Sequence, residues 1–274
     1  MDLKSTAYSV ADRVATISLN RPHRMNAWTG RMHAEYRYLL GKADRDRHVS
    51  VIVVTGVGRA FCAGADFQAL EGHLEKGEYD PGTGSDLETP GRRDEGRFGE
   101  NFTYHFALQK PVIAAINGAA AGVGLVLACY ADLRFAAAGV KLTTAHGRFN
   151  MPAEYGLSWL LPRLVGLTRA NDLLLSSRVF LSEEAADMGL INKVLPGERL
   201  MGHVYEYARG LIASVSPGSL ARTKRQIYVD QHRDVDESVR EADRLLDQMV
   251  REPNYRAGVK AFLEKTPADW DFNQ

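Results

Sequence analysis

The sequence predicts an α/β fold that gives way to helices alone near residue 200. Three observations carry this. The run Pro111-Val-Ile-Ala-Ala-Ile-Asn-Gly-Ala-Ala-Ala-Gly-Val-Gly-Leu-Val-Leu-Ala128 opens with a β-branched apolar stretch, Val112 to Ile116, of buried-strand length. Asn117-Gly118 then signals a turn, and small residues lead through Gly122-Val-Gly124 into Leu125 to Tyr130, which reads as a helix buried on nearly every side. A second stretch has the same character: Val51 to Thr55 as a buried strand, then Gly56 to Asp66, with Asp66 placed to cap a helix starting at Phe67. Finally, the tail from Arg199 is mostly amphipathic helix, broken by Pro217 and Pro253. Strands alternating with helices, then helices alone, argue α/β with a helical C-terminal module.

Taken in order, Tyr8 to Val10 and Val14 to Leu19 alternate about Ala11-Asp-Arg13 and predict an opening hairpin. The polar segment Asn20 to Asn26 contains Pro22 and reads as a loop. Thr29 can cap a helix whose apolar positions Met32, Tyr36, Leu39, Leu40 and Ala43 recur at helical spacing, with Asp44-Arg-Asp-Arg-His48 ending it. From Glu71 to Glu100 glycines and prolines are interleaved with charges, which predicts a long loop, either a mobile lid or a surface insertion. Phe102 to Gln109 reads as helix and Leu133 to Ala137 as strand. Gly156 to Gly166 and Thr168 to Ser176 read as short helices, and Ser182 starts and caps another that stops at Gly189.

Composition narrows the function classes. With 34 Lys+Arg against 34 Asp+Glu the formal net charge is zero, which removes any case for a nucleic-acid footprint or a polybasic membrane anchor. The two cysteines, Cys62 and Cys129, sit in apolar or small-residue runs and read as buried free thiols. With no signal-like N-terminus and no membrane-length apolar run, a cytoplasmic protein is expected. His-Glu-x-x-His, Cys-x-x-Cys, Gly-x-Ser-x-Gly and Walker-type motifs are absent, and no metal site is expected. The Gly122-x-Gly124 pair lacks the third glycine of a dinucleotide fingerprint, since position 127 is Leu. What remains is two strand–glycine–helix junctions, each offering backbone N–H groups. They could build an oxyanion hole, or the glycines could simply allow close helix–sheet packing.

Ala60-Phe-Cys-Ala-Gly-Ala-Asp66, together with Pro111 to Gly124, resembles the enoyl-CoA hydratase/isomerase (crotonase) superfamily. Leu19-Asn-Arg-Pro22 with Asn26-Ala27, Asp132, Leu161-Pro-Arg-Leu-Val-Gly166 and Ala185-Ala-Asp-Met-Gly-Leu190 fall, in order, where that family has similar pieces, so the resemblance spans almost the whole chain. It implies a crotonase-like spiral of repeated ββα units over residues 1–200, with residues 71–100 as a loop bordering the acyl pocket. Residues 201–274 would be a C-terminal helical module mediating assembly into a homotrimer or a dimer of trimers. The substrate would be an acyl- or enoyl-CoA thioester, with coenzyme A part of the substrate and no separate cofactor.

The resemblance also distributes roles. The oxyanion donors would be the backbone N–H groups of Ala65 and Val123. Hydratases of the family hold a water between two glutamates, and this chain departs at both: the first falls on Val126 and the second near His146. Glu154, in Met151-Pro-Ala-Glu-Tyr-Gly-Leu-Ser-Trp159, matches the site where the family's isomerases carry their catalytic acid. A single carboxylate beside apolar Val126 favours moving a double bond over adding water. Hydration by Glu154 with His146, a carbon–carbon hydrolase or related thioester-enolate chemistry with His146 as base, and a silent acyl-CoA-binding relative are the alternatives. Glu154 could also be a solvated loop carboxylate, and His146 a surface residue. Coenzyme A contacts would come from Arg24, Met25 and Ala27, from Ala63, Asp66 and Phe67, and from Phe262 and Lys265 of an adjacent subunit. Tyr155 and Trp159 would line or support the pocket; Asp66 reads as a helix cap and Asp132 as a structural residue at a strand start.

Overall fold

The opening strands β1 (Thr6–Ala11) and β2 (Val14–Leu19) form the expected antiparallel hairpin, with Asp12 and Arg13 both at positive φ as a tight two-residue turn requires. The structure, a computed structural model, describes residues 1–66 and 97–272, together with residues 71, 75, 77, 90 and 91. Phe67, the helix expected to start there and most of the expected loop 71–100 lie outside the described residues.

Helix α1 (Gly30–Arg45) is capped by Thr29, whose hydroxyl accepts from the Met32 N–H, and all five apolar positions read from its periodicity are buried. Strand β3 (Val51–Gly56) follows, then β4 (Ala60–Cys62), β5 (Val112–Ile116) and β6 (Ala119–Ala121). Helix α2 (Val123–Tyr130), β7 (Leu133–Ala137) and β8 (Lys141–Thr143) come next. A six-stranded sheet runs β1-β2-β3-β5-β7-β10, with β10 spanning Lys193–Leu195, and is parallel from β2 onward. A second sheet runs β4-β6-β8-β9, with β9 spanning Phe180–Leu181.

The pairing shows a repeat. In β3–β4, β5–β6 and β7–β8 the first strand joins the large sheet and the next, three-residue strand joins the small one. This is the spiral of ββα units. Reading 56–66 and 117–124 as plain turns misses β4 and β6, because three-residue strands of Ala, Phe and Cys have no period to read. The centre of the large sheet is buried on both faces: every residue of β5 and the first five of β3 are buried, which accounts for their mostly Val/Ile/Ala character. Burying each Val or Ile contributes roughly 1.5–3 kcal/mol.

Two local readings are corrected. Thr103–Ala107 is a 3-10 turn, and Leu108 is already extended where helix was expected. Ser182 does not cap α5 (Ser182–Asp187); its hydroxyl accepts from the Val140 N–H and so ties that helix to the end of the β7–β8 unit. Between these lie α3 (Leu157–Val165) and α4 (Leu167–Ser176). The tail forms α6 (Gly197–Ser214), α7 (Pro217–Val229), α8 (Val235–Met249) and α9 (Pro253–Glu264), with Pro217 and Pro253 in the first turn of their helices. Among the described residues no helix is long and apolar enough to cross a membrane.

Asp132 holds these layers together as a strand-start residue. Its Oδ2 accepts from the Val112 N–H at 2.6 Å and from Lys224 Nζ at 2.7 Å, and its Oδ1 from the Tyr228 hydroxyl at 2.7 Å. The start of β5 is thereby locked to α7 through a pair that is 5% and 16% exposed. Asp132→Ala should cost about 3 kcal/mol or more, since it strands Lys224 in the interior. Chemical denaturation measures this, and an unchanged midpoint would refute the clamp.

Candidate active site

The first junction leaves β4 at Cys62 and turns past Met25, whose carbonyl accepts from the Ala63 N–H. Trp28 then pairs with it in a short parallel bridge, the Trp28 N–H donating to Gly64 O and its carbonyl accepting from the Asp66 N–H. Both bonds use the residues flanking Ala65. The Ala65 N–H therefore projects from the other edge, where β6 lies.

Strand β6 runs parallel to β4 with a bulge between the pairs, Ala60 opposite Ala119 and Cys62 opposite Ala120. Three residues further along each chain stand Ala65 and Val123. Val123 is the first residue of α2, so its N–H has no acceptor within the helix and sits at the positive end of the helix dipole. Two glycines make this approach possible for different reasons. Gly122 has φ 49° and ψ −122°, a backbone that L side chains rarely adopt, though a Cβ there would meet open space. Gly124 is needed for closeness: a Cβ would lie 2.1 Å from the Cys62 carbonyl oxygen. Gly124 thus lets the first turn of α2 pack tightly against the end of β4.

The expected coenzyme A loop forms a 3-10 turn, Pro22–Arg24, followed by Met25 and Asn26 at positive φ. The Asn26 side chain bolts it down, accepting from the Arg21 N–H and donating to Val57 O and Ala60 O. Arg24 and Ala63 are exposed, while Met25 and Ala27 are half-buried. Asp66 is buried and ion-paired to Arg21 at 2.7 Å, and the same guanidinium nitrogen donates to Ala27 O. That pair links the two segments assigned to the coenzyme. Phe262 and Lys265 are far along the chain on α9 and just beyond its end; Phe262 is 82% exposed.

Glu154 is half-buried and begins a one-turn 3-10 segment, Glu154–Gly156, that abuts α2. The Tyr130 hydroxyl donates to Tyr155 O at 2.7 Å, and the Tyr155 ring meets Phe102 edge-on at 5.0 Å. Val126, midway along α2, is 1% exposed. His146 is buried rather than at the surface, in a turn that starts three residues after Thr143, whose carbonyl accepts from the Gly122 N–H. Trp159 is half-buried, sandwiched by His232, stacked at 5.5 Å, and the Arg163 guanidinium at 3.9 Å; it supports this region from the side of the tail.

Sequence reasoning missed the aromatic cluster behind these segments. Phe102, fully buried, touches Trp28 beside Ala65, Tyr130 on α2 and Tyr155 beside Glu154. The spacing of Tyr130 from Val123, two helical turns, was the one available signal. Around Phe102 lie two buried histidines. Burial, with Arg37 nearby, lowers His33 to about 4; burial likewise lowers His105 to about 3. His105 Nδ1 contacts the Phe102 carbonyl at 2.7 Å, so that nitrogen carries the proton and Nε2 accepts from the Tyr36 hydroxyl, also at 2.7 Å. Burial pushes the Cys62 and Cys129 thiols up to about 12, so both are neutral at physiological pH.

The sequence model of the enoyl-CoA hydratase/isomerase family matches residues 9–273. The chain belongs to that family. Among its relatives, the 1,2-epoxyphenylacetyl-CoA isomerase of Escherichia coli (strain K12) is 35% identical over 257 residues, 92% of each chain. A probable enoyl-CoA hydratase of Rhodobacter capsulatus is 33% identical over 267 residues, 97% of this chain and 98% of that one. The crystal structure of a probable enoyl-CoA hydratase/isomerase from Mycobacterium abscessus superposes with a TM-score of 0.83 at 30% identity, covering 97% of this chain and 98% of the other. The crotonase spiral expected from the sequence is thus the fold observed.

Neutral buried histidines make this family member acid-sensitive in a defined window. A folded value depressed below the unfolded one contributes stability above about pH 6.5 that is lost as pH falls toward 4. For His33 the loss by pH 4 is ~3 kcal/mol. Isothermal denaturation between pH 6.5 and 4 should show a shallower slope for His33→Gln than for the wild type; equal slopes would refute a neutral His33.

Proposed function

We propose that this family member acts on an acyl- or enoyl-CoA thioester, stabilising an enolate at the Ala65 and Val123 N–H groups while Glu154 moves the proton, and that double-bond isomerisation is its reaction. The observation that carries this reading is the parallel register of β4 and β6, which sets the ends leading to Ala65 and Val123 side by side. Taking a proton from the carbon beside a thioester puts negative charge on the carbonyl oxygen. Each preorganised donor lowers that barrier by about 3 kcal/mol.

Isomerisation needs one base that removes a proton and returns it two carbons away. Glu154 is the carboxylate of the turn packed on α2, and Val126, where the family's hydratases have a glutamate, cannot ionise. Coenzyme A enters as part of the substrate. Its pantetheine and nucleotide would follow Arg24, Met25, Ala27, Ala63 and Asp66, with Phe262 and Lys265 reaching a neighbouring subunit's ligand. The exposed apolar residues Val235, Val239 and Leu246 on α8 and Phe262 and Leu263 on α9 support assembly as a homotrimer or a dimer of trimers. The burial of His146 supports a second reading, hydration by Glu154 with His146 holding the water.

Crotonyl-CoA and a 3-enoyl-CoA supplied to the purified protein, with products followed by mass, separate hydration from isomerisation. Glu154→Gln should lower kcat at least 100-fold with little change in KM. Full turnover by that variant would remove Glu154 as the base. A thermal shift with acyl-CoA but turnover of neither substrate would identify a silent binder.

A further inference from the structure

Glu154 stands on a tight backbone turn that one hydrogen bond of its own closes, the Leu157 N–H donating to Glu154 O. Tyr155 has φ 51° and ψ 35°, left-handed for a residue with a bulky side chain, and Gly156 follows at φ 73°. Such a conformation persists where the surroundings over-determine it. Among the described contacts of Tyr155, two lead to Tyr130. The Tyr155 carbonyl accepts from the Tyr130 hydroxyl at 2.7 Å, and the Tyr155 ring meets Phe102, which is itself stacked on the Tyr130 ring at 6.1 Å. The fit is close: a Cβ on Gly156 would lie 3.1 Å from the Tyr130 oxygen.

Tyr130 is the last residue of α2, and Val123 is its first. Every residue of that helix is buried, so the two ends move together, about 10 Å apart along the axis. We propose that Tyr130 is a positioning residue for Glu154, gripping the Tyr155 carbonyl so that one buried helix sets both the Val123 amide and the turn that carries the carboxylate. This rests on the reading of Glu154 as the base. A carbonyl only accepts, so the phenol must be protonated; burial, with Cys129 adjacent, pushes its pKa to about 12 and keeps the proton in place.

Tyr130→Phe removes the hydroxyl and leaves the ring contacts with Phe102 and Phe106. On whichever thioester the wild type turns over, kcat should fall at least 10-fold while KM stays within about 2-fold. Gly156→Ala, which presses a methyl group toward the same oxygen, should show the same split. In a Glu154→Gln background, Tyr130→Phe should lower the residual kcat no further. Wild-type kcat in Tyr130→Phe, or an equal loss with and without Glu154, would overturn the proposal while leaving the base assignment intact. Full activity of Glu154→Gln alone would instead overturn the base assignment, and the positioning role with it.

Discussion

The carbonyl of Cys62 and the α-carbon of Gly124 meet so closely that no side chain fits between them. This contact brings the first turn of α2 down onto the end of β4, and the geometry of the site follows from it. It sets the Val123 amide beside the segment that carries Ala65. It also seats Tyr130, at the far end of the same helix, against the Glu154 turn. A larger residue at 124 would lift the helix and spoil all of these placements together. The helix is short and buried on every side, so its axis is fixed by packing and hardly at all by intrinsic propensity.

Around that contact the interior is arranged with little charge. His33 and His105 are neutral, the two thiols stay protonated, and the Tyr36, Tyr104 and Tyr130 phenols are all raised by burial. Negative charge developing at the Ala65–Val123 position would then have no fixed thiolate or phenolate beside it to oppose it. In such surroundings each backbone dipole counts for more than it would in water. Among the buried charges, Asp66 is tied up in structure by Arg21, and Lys224 by Asp132. Two acidic residues of the motif-bearing stretches thus fasten segments together and leave proton transfer to Glu154 on the proposed reading.

Much of this was legible in the residues, and for identifiable reasons. Helix α1 announced itself through Thr29 and five apolar positions at helical spacing, and β3, β5 and β7 through apolar runs of strand length. The short strands β4, β6 and β8 did not, because three residues carry no period and their pairing is decided by neighbours distant in sequence. Ser182 looked like a cap because local pattern cannot see that Val140 lies closer to hand. The aromatic cluster was invisible for the same reason. Trp28, Phe102, Tyr130 and Tyr155 come from four separate segments, and only the fold makes them neighbours.

Val126 bears on the chemistry through what it cannot do. On the wall of α2 where a hydratase of the family would hold a water, this chain presents a branched hydrocarbon that is 1% exposed. Such a side chain offers a water no hydrogen bond, and ordered buried waters need two to four. On the proposed reading a nucleophilic water would have to be held from elsewhere, and His146, buried in the turn that follows β8, is one polar side chain there. Without that help, on the same reading, a proton leaving the substrate would have one carboxylate to visit, Glu154, and no oriented water to follow it. It must return to the same carbon skeleton, and returning at a different carbon is isomerisation. On the proposed reading, the choice between the two reactions turns on whether His146 can hold a water that Val126 cannot.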